Sequence, residues 1–412
     1  MKVVMLPSVS GGIGHISRTG ALARALRRLD PRVEIDYVLD TGRLRPFNVQ
    51  ATMRLGYRPR LLPELTRENR DAVLQACFGD ADAIVDDAAR YVFPWRRAVP
   101  QAAWVSLLMY PVGDELWADW PWLMQMDALV WPYAPRFGVP AELDMFEHKL
   151  LRTGPFLETE TTPEKAAARS RLNLSSAGPV VVYAPRGFPF GREFGHAVLS
   201  SVYAAANRLR AAGRPGLRLV LLAVVDKDEL RGVPGMPDLL PDWVQVEGVV
   251  PAAEALLYAR AADILVAEGT STMHEGAAMR TPLVLIPGPI RETLVVADGL
   301  SRQAGVHAFA VRLVETERDT GKPSEFDDFA VLTAEALTVA FAEILAGGRT
   351  QGERVERAHA LVISGGGVDA AARLVLDVAA WRRRASAHGC AQNLLRTTGP
   401  GFVVQDGDPS AT

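Results

Sequence analysis

A turn rich in hydroxyl groups follows a short apolar run in the second half of the chain. The run covers residues 264–267, and the turn that follows reads Gly269, Thr270, Ser271, Thr272. This order is typical of a strand, a tight turn and a helix start. The three hydroxyl residues are candidate N-caps, and a helix N-terminus with free N–H groups suits a diphosphate. An ordinary capped helix fits the same residues.

Glu275 suggests a second contact in this segment. It lies about one helical turn beyond the hydroxyl residues. Its carboxylate could accept hydrogen bonds from both hydroxyls of a ribose while the turn holds the phosphates. A glutamate near the start of a helix is also common as a partner of the helix dipole alone. The segment therefore predicts a nucleotide-diphosphate site in which Glu275 contacts the ribose.

A glycine-rich loop in the first half ends in His15. The loop follows an apolar run at residues 2–7 and contains Gly11, Gly12 and Gly14. Its spacing is not G-x-G-x-x-G, and Asp40 is the nearest acidic residue at the end of the second predicted strand. A dinucleotide-binding site is therefore the weaker interpretation of this loop.

His15 is a candidate general base. Histidine titrates near neutral pH, so it can accept the proton of an attacking hydroxyl or amine, and a carboxylate often fixes its tautomer. Asp87, just after a predicted strand, is the preferred partner, with Asp86 and Asp114 as alternatives. A strand-end aspartate is also a routine helix cap, and an isolated histidine is often structural.

The composition argues against several classes of protein. The 412 residues carry a formal net charge of −3 without a basic tract, so neither nucleic acid nor an anionic membrane surface is expected as a partner. Only Cys77 and Cys390 occur, and no metal ligands cluster in the sequence, so neither a disulfide framework nor a metal site is expected. No apolar run approaches the roughly 18 residues that span a bilayer. We expect a cytoplasmic protein.

Alternating strand and helix patterns extend over most of the chain and predict an α/β protein with two parallel sheets. Buried-strand candidates occupy residues 33–39, 83–85, 103–108, 128–130, 179–184, 217–225, 244–246, 264–267 and 282–286. We predict a first domain over 1–155, a linker with a short helix over 156–177, and a second domain over 178–350. Helices would follow over 351–384, the last packing back on the first domain, and a mobile tail over 385–412.

Tryptophan is concentrated in the first half. Six of the eight tryptophans lie between Trp95 and Trp131. Large flat apolar side chains could form the surface for a planar or hydrophobic acceptor, or simply a domain core. A peripheral membrane contact through residues 116–124 is a third interpretation, which the neighbouring acidic residues disfavour.

The segment around Glu275 resembles the donor-binding stretch of a glycosyltransferase family. The register Gly269-x-x-Thr272-x-x-Glu275-x-x-Ala278 is similar to that of the peptidoglycan UDP-N-acetylglucosaminyltransferase, in family 28, and of UDP-dependent natural-product glycosyltransferases. The resemblance implies the GT-B fold, with two Rossmann-like doubly wound domains facing across a cleft. It also implies that Gly269 and Thr272 bind the diphosphate of a nucleotide sugar and that Glu275 binds its ribose.

Three further stretches resemble the same family. The loop ending in Gly14 and His15 is similar to its N-terminal loop, which faces the cleft, so His15 with Asp87 becomes the candidate catalytic pair. The resemblance places the remaining donor contacts in two loops of the second domain, at Val249 and Val250 against the base and at Arg186 and Gly187 against the phosphates.

The chain departs from the family pattern at several positions. Arg18 stands where members commonly have proline, and Ala267 where plant-type members have histidine. After Pro287 the family usually presents Asp-Gln or Gln-Gln to the donor sugar. This chain offers Arg291, Glu292 and Thr293 instead.

These features together predict an inverting, metal-independent glycosyltransferase without a further cofactor. It would move a hexosyl or N-acetylhexosaminyl group from a nucleotide-diphosphate sugar, with UDP favoured, to a small-molecule or lipid-linked acceptor, in natural-product or cell-envelope biosynthesis. One alternative is an enzyme like UDP-N-acetylglucosamine 2-epimerase on the same two domains. Another is a nucleotide-sugar-binding protein without turnover.

Overall fold

Two parallel β-sheets form the framework of the protein. The computed structural model describes residues 1–9, 14–66, 68–88, 98–110, 120–157, 162–185, 192–222, 230, 232–248, 250–288, 290–311, 329–363 and 365–387. Within these ranges each sheet has seven strands, and neighbouring strands pair in parallel. The central strands are buried along their whole length, which explains their near-continuous runs of Val, Ile, Leu and Ala.

The first half of the chain forms the first sheet, in the order β3-β2-β1-β4-β5-β6-β7. Its strands are β1 (Lys2–Pro7), β2 (Glu34–Asp40), β3 (Arg60–Leu62), β4 (Ala83–Asp87), β5 (Ala103–Leu107), β6 (Ala128–Trp131) and β7 (Leu150–Arg152). The helices between them are α1 (Gly14–Leu29), α2 (Pro46–Arg54), α3 (Arg70–Phe78) and α4 (Trp120–Gln125), with 3-10 turns at Thr41–Arg43, Pro135–Phe137 and Ala141–Lys149.

The second sheet has the order β10-β9-β8-β11-β12-β13-β14. Its strands are β8 (Val180–Ala184), β9 (Arg218–Leu221), β10 (Val244–Val246), β11 (Ile264–Ala267), β12 (Leu283–Leu285), β13 (His307–Ala310) and β14 (Ala330–Val331). The remaining helices are α5 (Lys165–Arg171), α6 (Arg192–Ala211), α7 (Ala252–Ala261), α8 (Thr270–Ala278), α9 (Arg291–Ala304), α10 (Ala334–Ala346), α11 (Arg349–Val362) and α12 (Gly367–Ala387). Among the described residues, none of these helices is long and apolar enough to cross a bilayer.

The strand order reverses at the corresponding place in both sheets. β1 lies between β2 and β4, and β8 lies between β9 and β11. At such a point the connecting helices leave on opposite faces, so a crevice opens outside the carboxyl ends of the central strands. The glycine-rich loop follows β1 and the hydroxyl turn follows β11, which places both predicted sites at these crevices.

α5 ties the predicted linker to the second sheet. Lys165 Nζ lies 2.7 Å from Asp263 Oδ1, and Arg169 bonds to the same carboxylate. The Arg169 Nε also donates to the Ala261 carbonyl at 2.9 Å. The part of residues 156–177 that forms this helix therefore packs on the second domain.

Three tryptophans of the first-half cluster belong to the core. Trp104, Trp122 and Trp131 are only 1%, 6% and 0% exposed. The interpretation of the cluster as an acceptor surface is therefore wrong for these three, because the sheet and its helices already cover their rings. The structure does not describe the side chains of Trp95, Trp117 and Trp120.

The last described helix, α12, packs on the first sheet. It begins at Gly367, and its apolar face, including Ala371, Val375 and Val378, is buried against residues of α1 and of the first sheet. Near its end, Arg382 Nε and Nη2 lie 3.1 and 2.5 Å from Asp127 Oδ1. The other oxygen of Asp127 accepts from the Trp104 backbone N–H at 2.9 Å, so this ion pair fastens the helix to β5.

We predict that Arg382→Met destabilises the protein strongly. The Arg382 and Asp127 side chains are 6% and 7% exposed, so the substitution leaves a buried carboxylate without its cation. Such a loss typically costs about 3–5 kcal/mol in the free energy of unfolding. Urea denaturation followed by circular dichroism measures it. The control is Arg383→Met next to it, whose pair with Asp82 is half-exposed and should contribute at most about 1 kcal/mol. Equal effects of the two variants would contradict this account.

Candidate active site

The N-termini of α1 and α8 face each other across the cleft between the two sheets. A Cβ atom built on Gly14, the first residue of α1, would lie 3.5 Å from Oγ of Ser271 in the first turn of α8. Each helix end carries about half a positive charge and free N–H groups. Two positive helix ends this close together favour an anion that lies beside both of them.

α9 closes one side of this cleft by packing directly on the first domain. A Cβ atom on Gly299 would lie 2.4 Å from Cδ1 of Phe137, so a larger residue would push the two elements apart. The Tyr133 hydroxyl donates to Glu292 Oε1 at 2.9 Å. The two sheets are thus joined by an apolar contact and a hydrogen bond beside the facing helix ends.

The first-domain wall carries His15 and a buried carboxylate. His15 Nδ1 lies 3.1 Å from Oδ1 of Asp87, the last residue of β4. The Asp87 side chain is fully buried, whereas the His15 side chain is 19% exposed. The contact between His15 and Asp87 that the sequence predicted is present. The neighbouring Asp86 instead accepts from Ser106 Oγ at 3.2 Å.

Arg18 compensates the charge of Asp87. Its Nε donates to Asp87 Oδ2 at 3.0 Å, and its Nη2 donates to Oδ1. Burial alone would raise the pKa of Asp87, but Arg18 and His15 outweigh it and hold that pKa below its usual value. The carboxylate is therefore ionised at neutral pH and can act as a fixed acceptor for His15.

Nδ1 of His15 faces both an acceptor and a donor. It lies 3.1 Å from Asp87 Oδ1, which only accepts, and 3.3 Å from Arg18 Nη2, which only donates. In the tautomer that donates from Nδ1 to Asp87, Nε2 keeps its lone pair. A neutral imidazole in this state can take a proton from a ligand in the cleft.

The N-cap of α8, in the second-domain wall of the cleft, differs from the one that the sequence predicted. The N-cap of α8 is Gly269, in an extended conformation, and no side-chain cap bond forms among the described residues. The prediction that Thr270, Ser271 or Thr272 caps the helix is therefore wrong, because glycine ahead of them already adopts the cap conformation. Thr270 is buried, Thr272 is partly exposed and Ser271 is exposed. The first N–H groups of α8 remain available to a ligand.

Glu275 lies on the second turn of α8 and is partly buried. Burial raises the pKa of Glu275 to about 7. Its charged form is therefore poorly stabilised by the protein alone at neutral pH. Hydrogen-bond donors from a ligand, such as the hydroxyls of a ribose, would stabilise that form.

His274, next to Glu275, is buried at the contact between the sheets. Its ring stacks on Phe137 at a centroid distance of 6.1 Å and lies 6.1 Å from the Tyr133 ring. Burial, with a smaller contribution from the Arg18 cation, lowers the pKa of His274 to about 3. The imidazole is therefore neutral at physiological pH and packs as an aromatic ring.

A buried polar pair supports the turn before α8. The Tyr183 hydroxyl, near the end of β8, donates to Glu268 Oε1, and both residues are buried. Burial and the carboxylate raise the pKa of Tyr183 well above its usual value, so the phenol stays protonated. Because Glu268 directly precedes Gly269, this bond joins the carboxyl ends of β8 and β11 at the start of the turn.

The three candidate sugar contacts at the start of α9 differ in their exposure and in their hydrogen bonds. Arg291 and Glu292 are partly exposed, and Glu292 bonds to Tyr133. Thr293 is fully buried, and its hydroxyl donates to the Gly288 carbonyl at 2.7 Å. Thr293 therefore orders the backbone before α9 and does not reach the cleft.

Several predicted site residues fall outside the described residues. They are Gly11, Gly12, Asp114, Arg186, Gly187 and Val249. Val250, which is described, is partly buried against the core. No group of three or more potential ligands that could hold a metal ion occurs in the described ranges.

Arg18, Tyr133 and His274 are functional candidates that the motifs did not identify. Arg18 was visible only as a departure from a family pattern. Tyr133 lies two residues beyond the end of β6. Site residues are expected just after the carboxyl ends of parallel strands, and Tyr133 occupies such a position. His274 sits between Met273 and Glu275 and carries no local signal of its own.

Solved structures with a similar fold cover nearly the whole chain. The glycosyltransferase VinC in complex with DTDP matches with a TM-score of 0.60 and 15% identity, over 92% of this chain and 100% of that one. The spinosyn forosaminyltransferase SpnP matches with a TM-score of 0.60 and 14% identity, over 92% of this chain and 99% of that one. The chain therefore has the GT-B fold that the sequence predicted.

The same fold also occurs in another class of enzyme. A protein assigned as UDP-N-acetylglucosamine 2-epimerase from Listeria monocytogenes matches with a TM-score of 0.56 and 11% identity, over 90% of this chain and 94% of that one. No family model matches the sequence, and no curated protein sequence matches it. At these identities the likeness establishes the fold, and the chemistry must be argued from the site.

We predict that His274 makes the protein sensitive to acid. Its pKa is about 3 in the folded state against about 6.5 in the unfolded chain, so between these values the unfolded state binds more protons. Stability should fall as pH drops from about 6.5 towards 3. His274→Phe keeps a ring between Tyr133 and Phe137 and should flatten this part of the profile, measured by urea denaturation at successive pH values. Parallel profiles for the two proteins would rule out His274 as the cause.

Proposed function

We propose that the protein is a glycosyltransferase that uses a nucleotide-diphosphate sugar. The observation that carries the proposal is the juxtaposition of two helix N-termini at Gly14 and Ser271, with the His15–Asp87 pair on one wall and Glu275 on the other. This arrangement supplies an anion-binding centre, a base and a ribose acceptor within one cleft. The GT-B fold supports the same proposal.

The proposed reaction is a single displacement at the anomeric carbon. His15 Nε2 removes the proton from an acceptor hydroxyl or amine while the acceptor atom forms a bond to that carbon. The bond to the diphosphate oxygen breaks, and the nucleoside diphosphate leaves with its electron pair. The α8 N-terminus and the N–H groups after Gly269 stabilise the developing charge. Attack opposite the leaving group inverts the anomeric configuration.

The donor contacts in this proposal run along α8 and the start of α9. Gly269, Thr272 and the exposed Ser271 hold the diphosphate, and Glu275 accepts from the ribose. Arg291 and Glu292 at the start of α9 are partly exposed, which supports them as sugar contacts. We favour UDP as the nucleotide, although VinC, with the same fold, was solved with DTDP.

We further propose that the reaction needs no metal ion and no additional cofactor, because the helix ends and His15 supply the charge stabilisation and the base. The acceptor would be a small molecule or a lipid-linked molecule. An epimerase-like enzyme is the second candidate, because a protein of that class shares the fold. Such an enzyme would change the sugar without transferring it.

We predict that transfer depends on His15. The protein is incubated with UDP- and dTDP-sugars and a panel of acceptors, and nucleoside diphosphate release and product mass are followed. His15→Gln should reduce kcat by about 10²- to 10⁴-fold, the usual contribution of a general base, with donor affinity little changed. The control is His148→Gln, which changes an exposed histidine.

The product distinguishes the candidates. Acceptor-dependent release with a heavier acceptor supports transfer, and a changed sugar without release would favour epimerisation. Tight binding with neither product would indicate a binding protein without turnover. Unimpaired turnover in His15→Gln would remove His15 from the mechanism.

We predict that donor affinity depends on pH through Glu275. Ribose hydroxyls would stabilise the charged carboxylate, so binding lowers its pKa from the value of about 7 in the free protein. Affinity should therefore decrease as pH falls below about 7, by up to about tenfold per pH unit, and should level off above it. Calorimetric titration with a nucleotide sugar measures this. Its phosphates are both esterified and do not titrate in this range.

The matched variant for this test is Glu275→Gln. It keeps the shape of the side chain but removes the titrating group, so its affinity should be weaker at high pH and nearly independent of pH. If the wild-type affinity does not vary with pH, or if the variant keeps the pH dependence, Glu275 does not contact the ribose.

A further inference from the structure

Two polar side chains of α8 are buried at the contact with the first domain without hydrogen-bond partners. Thr270 and His274 are 9% and 3% exposed. The hydroxyl oxygen of Thr270 and Nε2 of His274 are shielded from solvent, and neither has a partner among the described residues. Residues four apart share a helix face, so Thr270 lies on the face whose His274 ring packs against Phe137 and Tyr133. The contact between the domains therefore covers two unsatisfied polar atoms.

The local structure explains why these atoms lack partners. Thr270 is the first residue of α8, so no preceding turn of the helix offers its hydroxyl a carbonyl. Nε2 of a neutral histidine is a donor or an acceptor in either tautomer, so it always needs a partner when buried. The stacked Phe137 ring has no hydrogen-bonding atom to offer it, and the Tyr133 hydroxyl proton goes to Glu292. Water would hydrate both atoms once α8 separates from the first domain.

Contacts on the neighbouring helix act in the opposite direction. Phe137 packs on Gly299 of α9, and Nε2 of Gln303, also on α9, donates to the Arg136 carbonyl at 3.1 Å. These contacts hold the two domains together. On α8, by contrast, each unpartnered polar atom opposes burial, and one such group typically shifts an equilibrium by about 5- to 150-fold. The attraction from α9 is thus opposed on the helix beside it.

We propose that Thr270 and His274 weaken the contact between α8 and the first domain and so keep the cleft ready to open. In the closed arrangement the two polar atoms are dehydrated, and in an open arrangement they are hydrated. The equilibrium therefore lies further towards opening than it would for an apolar contact of the same shape. This equilibrium does not depend on whether the protein transfers a sugar.

The test measures opening by single-molecule fluorescence energy transfer in the full chain. Two dyes are attached through Met53→Cys in the first domain and Val339→Cys in the second, which are exposed positions. The background carries Cys77→Ala and Cys390→Ser, so that no other thiol is labelled. In this otherwise unchanged protein we expect two interconverting populations, one closed and one open.

Apolar replacements of similar shape should favour the closed population. Thr270→Val and His274→Phe each remove one unpartnered polar atom. Each should therefore raise the ratio of closed to open molecules by about fivefold or more. Thr270→Ser keeps the hydroxyl and should leave the ratio close to that of the unsubstituted protein.

Partnered residues of the same two types provide matched controls. The Thr281 hydroxyl donates to the Ala259 carbonyl at 2.7 Å, and Nδ1 of His359 lies 3.0 Å from the Ala278 carbonyl oxygen, both within the second half of the chain. Thr281→Val and His359→Phe should lower the stability to urea, because each leaves a carbonyl without its partner. Neither should change the ratio of closed to open molecules.

The proposal is overturned if the protein shows no open population, or if Thr270→Val and His274→Phe leave the ratio unchanged or lower it. A lower ratio would mean that the two atoms are hydrogen-bonded in the closed state in solution, for example through bridging water. The two variants act on separate atoms, so if circular dichroism shows that one is misfolded, the other still decides. A protein that opens as expected but transfers no sugar would refute the proposed function alone.

Discussion

The buried carboxylate of Asp87 must be compensated, and much of the first domain's cleft wall follows from that requirement. β4 is covered on both faces, so the polar residues at its carboxyl end are buried with it. An ionised carboxylate in such surroundings is strongly unfavourable unless a cation and hydrogen-bond donors meet it. Arg18 and His15 meet it from the first turns of α1. Because Arg18 and His15 must reach this carboxylate, it constrains the direction in which α1 leaves the sheet and the orientation of the histidine.

The second domain repeats the geometry with different chemistry. Its corresponding crevice is supported by Tyr183 and Glu268, which are buried and joined to each other. The helix that follows this pair begins with Gly269 and hydroxyl residues. In the proposed mechanism the first domain presents a proton acceptor, His15, whereas the second presents the N–H groups of α8 and Glu275, whose pKa is raised to about 7. This division of roles is what a reaction between an acceptor and an anionic leaving group requires.

The sequence predicted the fold well because parallel strands are buried on both faces and read as continuous apolar runs. Positions 83–85, 244–246 and 264–267 all lie in observed strands. The pairing of His15 with Asp87 was also predictable, because His15 follows β1 and Asp87 ends the neighbouring strand β4. The contact of Tyr133 with Glu292 was not, because no local pattern states how two sheets face each other. The cap of α8 was misassigned because glycine and hydroxyl residues are both acceptable there, and only the backbone conformation decides.

The packing of α12 has a consequence for building chimeras. Val368, Ala372 and Ala379 fill the same apolar cluster as Val3, Val85 and Val105, although more than 250 residues separate them along the chain. A hybrid that exchanged only residues 1–155 with another protein of this fold would pair a foreign sheet with a resident helix and lose the fit between them. An exchange that moved residues 365–387 together with the first half would carry this cluster across intact. The unit of recombination in this molecule is therefore discontinuous in sequence, and crossover points chosen at the obvious mid-chain junction would cut through a core.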